Sequence, residues 1–435
     1  MRLARVLFTI LAVGALLPGA TRAQPQAQSR PALEALAAPL YAQLAALKGI
    51  AMPGPPPPLQ IRTREENRRF IEQELDRRYS PARVEAERKG MVAWGLIPRD
   101  YDLRRLFLDL MAEQVSAYYD PRAKIMVLGD WLPLEQQQSA LTHELVHALQ
   151  DREIPLDAFI MPEPGRGDQV LARQALLEGE AVALTFELLL KAQGGDFVSL
   201  PDLARLREMI TSGVSGPAVS TAPKFLKELL LFPYVEGLRF AHEFRKRQPW
   251  AGLSALYRDP PRSTTQILHP EKRLARREDP IPIALPDLKG LLPGTTAVAE
   301  DELGEFGLGS VVGLHLGEVA GRAAAAGWRG DHFRVWEDKP GHFIIVYLVA
   351  MESDRVANAF ALMYTTVLEK RHPVLTRKGV PGKAGAIVTW RDGDRAFVVE
   401  KVGAEVLILE RVPASTADRM RDAVWRARAA AAPKR

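Results

Sequence analysis

Cysteine is absent from the 435 residues. That excludes disulfides, a thiol nucleophile and any thiolate metal site, so a metal could be held only through nitrogen and oxygen. Stability must come from core burial, for which a 47% hydrophobic content is adequate. Histidine is scarce, with only 8 in the chain. Excess charge of one sign is missing too. The formal net charge of +5 includes Arg2, Arg5 and Arg22, and without residues 1–23, which hold no acid, it is +2. Nothing in that balance points to nucleic acid. Basic clusters such as Arg68-Arg69 and Arg77-Arg78 are interspersed with acids and read as solvated helix faces.

Long apolar runs are limited to the N-terminus. Arg2 and Arg5 precede an apolar stretch over residues 6–17, and Thr21-Arg-Ala23 fits a small-residue cleavage site. These features predict a secretory signal peptide over 1–23, cleaved after Ala23, and hence a secreted or periplasmic protein. No spanning helix is expected after cleavage, because the apolar run near Leu188 is interrupted by Glu178, Glu180 and Glu187.

Against this background, Leu141-Thr-His-Glu-Leu-Val-His-Ala-Leu149 stands out. It has good helix formers and no Gly or Pro. On a helix, His143 and His147 lie one above the other, so both imidazoles can reach one ion, with Glu144 beside them to hold a water. This H-E-x-x-H pattern is that of a zinc-dependent hydrolase, in which the carboxylate takes the proton of a metal-activated water. A catalytic Zn²⁺ site needs a third protein ligand. Two candidates occur in Ala175-Leu-Leu-Glu-Gly-Glu-Ala-Val-Ala-Leu184, inside an apolar helical run over about 169–192. Carboxylates in such a run are costly unless paired or metal-bound. Glu178 and Glu180, two residues apart, project about 200° from one another, so only one can face the histidines.

The H-E-x-x-H motif followed by E-G-x-A on a second helix resembles the gluzincins, metallopeptidases with two His and one Glu as ligands. The segments Glu113–Leu128 and Ser263–Lys272 are similar to a family of bacterial secreted or membrane-associated gluzincin-like proteins. Carried over by motif position, the resemblance implies Glu178 as the third ligand. The spacing between the motifs is longer here, and Val182 stands where other gluzincins often have Asp. It also implies an extended substrate beside an edge strand near the zinc helix, either 115–119 or 125–128.

The expected fold is α+β: a mainly helical, zincin-like metallopeptidase domain with a small sheet over 61–277, followed by a smaller α+β domain over 278–435. Residues 24–60 read as a proline-rich linker with a short helix near 33–47, ending in Pro53-Gly-Pro-Pro-Pro-Pro58. Two β-rich runs around Asp120-Pro121 predict a hairpin. Residues 211–223 read as a loop, and 225–247 as a helix interrupted at Pro233. Beyond 278, strands are predicted over 343–349, 386–390 and 395–402, and helices over 319–326 and 356–369. His332, Trp336 and Trp390 read as packing residues.

For the oxyanion donor two residues compete. Tyr234 follows Pro233, and His269 precedes Pro270 after a short helix begun by Ser263. Asp151, four residues past His147, is a candidate to orient an imidazole. The expected function is a zinc peptidase acting on a peptide or protein substrate. The alternative is a catalytically silent metal-binding scaffold that works as an envelope binding or adaptor protein.

Overall fold

A computed structural model describes residues 30–51, 54–161, 165–373, 375–378 and 387–431. The expected signal peptide over 1–23 lies outside the described residues, as does Ala386 at the start of one predicted strand. No helix among the described residues is long and apolar enough to cross a membrane.

The chain enters through helix α1 (Arg30–Lys48), longer than the sequence suggested, and then strand β1 (Leu59–Arg62). Helices α2 (Arg64–Arg78), α3 (Pro81–Ala93) and α4 (Leu103–Gln114) follow, each started by a local signal. Thr63 and Glu66 cap α2 reciprocally, Ser80 caps α3 with Pro81 in its first turn, and Asp102 accepts from the Arg105 N–H of α4. Strands β2 (Ala117–Asp120) and β3 (Ile125–Gly129) form the expected hairpin. Its turn is fastened by Asp120 Oδ1, which accepts from the N–H of Arg122 and Ala123 at 2.9 and 3.1 Å. The three strands are ordered β1–β3–β2, which places 125–129 in the centre and 117–120 at an edge.

Helices α5 (Leu134–Glu153) and α6 (Gly167–Ala192) form the middle of the core. Every residue from Ala140 to Gln150 and from Gln174 to Glu187 is buried, so neither helix has a solvent face there. Helix α7 (Ala204–Gly213) leads to the segment read as a loop, which instead contains a helical turn at Pro217–Thr221. The carboxylate of Glu113 holds the start of that turn, accepting from the Ala218 N–H at 2.8 Å. Helix α8 (Lys224–Arg247) then runs through Pro233 without a break, contrary to the expected interruption. An interior proline costs about 3 kcal/mol. Burial of Phe225, Leu229, Phe232, Tyr234, Leu238, Phe240 and Phe244 offsets this, at roughly 1.5–3 kcal/mol per large side chain.

Helices α6 and α8 meet backbone to backbone. A Cβ on Gly179 would lie 2.2 Å from the carbonyl of Gly237, and one on Gly237 would lie 2.3 Å from Ala175 O. Only paired glycines allow this approach, and it carries Tyr234 to the side of α6 that bears Glu178.

The C-terminal region forms a seven-stranded antiparallel sheet. Its strands are β4 (Thr296–Asp301), β5 (Trp328–Lys339), β6 (His342–Met351), β7 (Thr376–Lys378), β8 (Ile387–Asp392), β9 (Arg395–Val402) and β10 (Glu405–Pro413), in the order β4–β5–β6–β10–β9–β8–β7. Helices α9 (Gly304–Leu316), α10 (Glu318–Ala325) and α11 (Asp354–Arg371) are interspersed, and α12 (Ala417–Ala431) closes the region. Both faces of β6 are covered. Ile345, Tyr347 and Val349 join the main core, whereas Ile344, Val346 and Leu348 join a second core with Met420 and Val424 of α12. That two-sided burial is why 343–349 reads as an unbroken apolar run. Trp336 and Trp390 are buried, and His332 pairs with Glu300 at 2.9 Å. The sheet is fastened to the N-terminal helices by Trp94, whose ring meets Phe333 and Tyr347 edge-on at 5.3 Å each.

A second fastening is polar. Asp168, in the first turn of α6, accepts from Thr264 N and Oγ1 at 2.9 and 2.7 Å. Asp301 accepts from Gly167 N at 2.7 Å, and Asp331 from Tyr347 Oη at 2.8 Å. Burial pushes Asp331 up to about 7, with Asp168 adding to the rise. Burial likewise pushes Glu302 up to about 9, helped by Asp331, Asp168 and Asp301.

Two predictions follow from these contacts. Gly237→Ala is expected to lower stability by about 1–3 kcal/mol or more, as a Cβ is forced into the α6 backbone, and a thermal melt reads this directly. In the unfolded chain Asp331 and Glu302 titrate near 4. The folded state therefore holds extra protons between roughly pH 4 and pH 9, and this contribution to stability is lost as pH rises through that window. Urea midpoints measured across it are expected to fall less steeply in Glu302→Gln than in wild type.

Candidate metal centre

Helix α5 presents His143 and His147 one turn apart, and α6 presents Glu178 against them. His143 Nε2 lies 3.1 Å from His147 Nε2 and 3.2 Å from Glu178 Oε2, while His147 Nε2 lies 3.5 Å from the same oxygen. Four ligands placed tetrahedrally at 2.0–2.1 Å from zinc are separated by about 3.3–3.4 Å. The three atoms thus form a triangle the size of one face of such a tetrahedron. All three residues are buried, and together they could hold a metal ion. Two imidazole nitrogens and one carboxylate oxygen suit Zn²⁺ and other borderline divalent ions.

Electrostatics fit the same use. Burial opposes ionisation of Glu178, but His147 and hydrogen bonds from both imidazoles outweigh it and hold the carboxyl below its ordinary value. Burial also opposes a charged His147, yet Glu178 beside it raises the imidazole to about 9.

Glu144 occupies the adjoining position. Its Oε2 accepts from the Tyr119 N–H of edge strand β2 at 2.7 Å, and its Oε1 is buried with no hydrogen-bond partner among the described residues. Burial raises its pKa, against the pull of both imidazoles and the Tyr119 N–H. Tyr234 reaches the site from α8, its ring centroid 6.5 Å from that of His143. Burial, reinforced by the Glu178 and Glu144 carboxylates, keeps its phenol protonated far above neutral pH.

His269 is placed elsewhere. Its Nε2 lies 2.8 Å from Glu305 Oε1, and the ring lines a separate cavity of about 690 Å³ with Phe232 and Phe306. Asp151 does not orient an imidazole. It accepts from Tyr119 Oη at 2.8 Å and from Leu156 N at 3.2 Å, and it pairs with Lys124. Gln150 takes the orienting place, with Oε1 2.7 Å from His147 Nδ1. A polar residue three positions past a histidine on one helix was a readable signal for this contact.

Of the two carboxylates left open by the sequence, Glu178 reaches the imidazoles and Glu180 does not. Glu180 accepts from Gln150 Nε2 at 2.8 Å, from Tyr257 Oη and from Lys48 of α1. Neither Lys48 nor Tyr257 was visible as a partner in sequence, since both are remote along the chain.

Glu178→Ala is therefore expected to abolish stoichiometric metal binding, read by elemental analysis after gel filtration. Glu180→Ala is expected to retain a metal but to lower the melting temperature, because Lys48 is left buried without one of its carboxylate partners.

Residues 99–194 match the family described as the IrrE N-terminal-like domain (Peptidase_M78), a zincin-like metallopeptidase family. Residues 291–421 match a domain of unknown function (DUF8575). No curated protein and no solved structure matches the chain. The first match spans the β2–β3 hairpin and both helices of the candidate metal centre, so His143, Glu144, His147 and Glu178 all lie within the part of the chain that matches this family.

Proposed function

We propose that the protein is a zinc-dependent peptidase of gluzincin type, exported on the strength of Arg2, Arg5, the apolar stretch 6–17 and Thr21-Arg-Ala23. The observation that carries this reading is the triangle of His143 Nε2, His147 Nε2 and Glu178 Oε2 beside a carboxylate, Glu144, with one oxygen unpartnered. A Zn²⁺ ion held by these three residues would supply Lewis acidity and lower the pKa of a water.

The chain's own groups do the rest. Glu144 takes the proton of the attacking water on its free Oε1 and delivers it to the leaving amine. The Tyr119 N–H on Oε2 keeps the carboxylate turned to do so. Tyr234, held protonated, donates to the oxygen that becomes negative as the carbonyl is attacked. Tyr234 rather than His269 takes this role, because the His269 ring is committed to Glu305. Edge strand β2 offers backbone groups to an extended peptide.

A second reading draws support from how closed the site is. His143 is 0% exposed, Glu144 2%, Glu178 5% and His147 8%. A metal-stabilised scaffold that acts by binding an envelope protein partner fits that closure. Full zinc loading with no cleavage of a diverse peptide library would select it.

For the peptidase, Glu144→Gln is expected to keep the metal while kcat falls roughly 10²–10⁴-fold. Tyr234→Phe is expected to lose about 10²–10³ in kcat with KM little changed. An active, zinc-loaded Glu144→Gln would overturn the assigned base.

A further inference from the structure

The two imidazoles differ at their outer nitrogens. His143 Nδ1 is buried with no hydrogen-bond partner among the described residues, whereas His147 Nδ1 faces Gln150 Oε1 at 2.7 Å. Gln150 cannot be turned round. Its Nε2 donates to Leu177 O at 2.9 Å and to Glu180 Oε2 at 2.8 Å, and both partners on α6 are acceptors only. Rotating the amide would set its oxygen against a carboxylate. With Oε1 fixed towards His147, the ring must carry a proton on Nδ1, so that Nε2, the atom that faces His143 and Glu178, is the nitrogen left to bind a metal. Leu177 O and Glu180 thus set which end of Gln150 faces His147, without touching the ring.

Glu180 is in turn held from outside the ligand helices. It is 0% exposed and is gripped by Lys48, the last residue of α1, and by Tyr257. Lys48, 3% exposed, also lies 3.0 Å from Glu153 near the end of α5. Helix α1 therefore reaches both ligand helices through one buried ammonium group, and it lies outside the spans 99–194 and 291–421 that resemble known families.

We propose that Gln150 and Glu180 are positioning residues of the metal centre and that α1, through Lys48, is the latch that holds them, so that docking of α1 and retention of the metal are coupled. The proposal rests on the metal-binding reading above. Coupling of this kind is reciprocal: what α1 does for the metal, the metal does for α1.

The test uses the full chain, with Zn²⁺ as the probe and a competing chelator to measure affinity. Gln150→Leu and Lys48→Met are each expected to weaken Zn²⁺ binding about 10–100-fold while one ion per chain is still taken up. The double variant is expected to bind little more weakly than Gln150→Leu alone, because both act through one path. Nitrogen-15 spectra of the metal-free protein, recorded at a pH high enough for the His147 ring to be neutral, are expected to show its proton on Nδ1, moving towards Nε2 in Gln150→Leu, a change that loss of packing alone would not produce. Amide exchange in α1 is expected to slow when Zn²⁺ is added to wild type, which tests the coupling even if Lys48→Met fails to fold. Wild-type affinity in both variants, or an α1 whose exchange ignores Zn²⁺, would overturn the latch. A wild type that takes up no Zn²⁺ would sink the metal reading instead, and the His147 tautomer would still report on Glu180 and Gln150.

Discussion

Helix α6 carries Glu178 and Glu180 into the buried core, and most of the surrounding architecture answers that constraint. A bare carboxylate there is prohibitively costly, so each must be met by positive charge or donors. Because residues two apart project about 200° from one another on a helix, the two turn to different partners. Glu178 turns to the histidines of α5. Glu180 turns to Lys48, Tyr257 and Gln150. One helix thereby organises two polar centres, and Gln150 joins them because its amide can donate to one and accept from the other.

The close crossing of α6 and α8 at Gly179 and Gly237 links this polar arrangement to the apolar packing. Gly179 lies between the two glutamates, so the same three residues supply both carboxylates and the gap that admits α8. Tyr234 arrives beside His143 as a consequence. The edge strand β2 meets the other side of α5, where Tyr119 contributes its N–H to Glu144 and its hydroxyl to Asp151. The candidate centre is therefore enclosed by a helix on one side and a strand on the other. Its supporting residues are drawn from α1, β2, α5, α6, α8 and the Tyr257 turn.

The C-terminal sheet contributes rigidity rather than chemistry to this centre. Trp94 packs against Phe333 and Tyr347, and one hydrophobic core runs without interruption from Leu33 in α1 to Ile408 in β10. Asp301 of β4 accepts from Gly167 N, and Asp168 accepts from Thr264, so the helix that bears Glu178 is anchored at its N-terminal end by polar contacts and along its length by packing.

The sequence by itself determined the local features of the protein. His143, Glu144 and His147 at helical spacing, the β2–β3 hairpin around Asp120-Pro121, the run that became β6 and the pairing of two ligand helices were all legible, because periodicity and turn chemistry act over a few residues. The residues alone left Glu178 and Glu180 open, with the motif resemblance favouring Glu178, and Tyr234 stood beside His269. Tertiary structure brings Glu178 and Tyr234 to His143, since whether a side chain meets that ring depends on how α6 and α8 pack. It also decided that α8 runs through Pro233, where burial of large side chains outweighs a lost hydrogen bond. Gln150 in place of Asp151, and Lys48 and Tyr257 around Glu180, were beyond the sequence for the same reason. Contacts between residues 77 and 132 positions apart leave no periodic trace, and only the packed core brings them together.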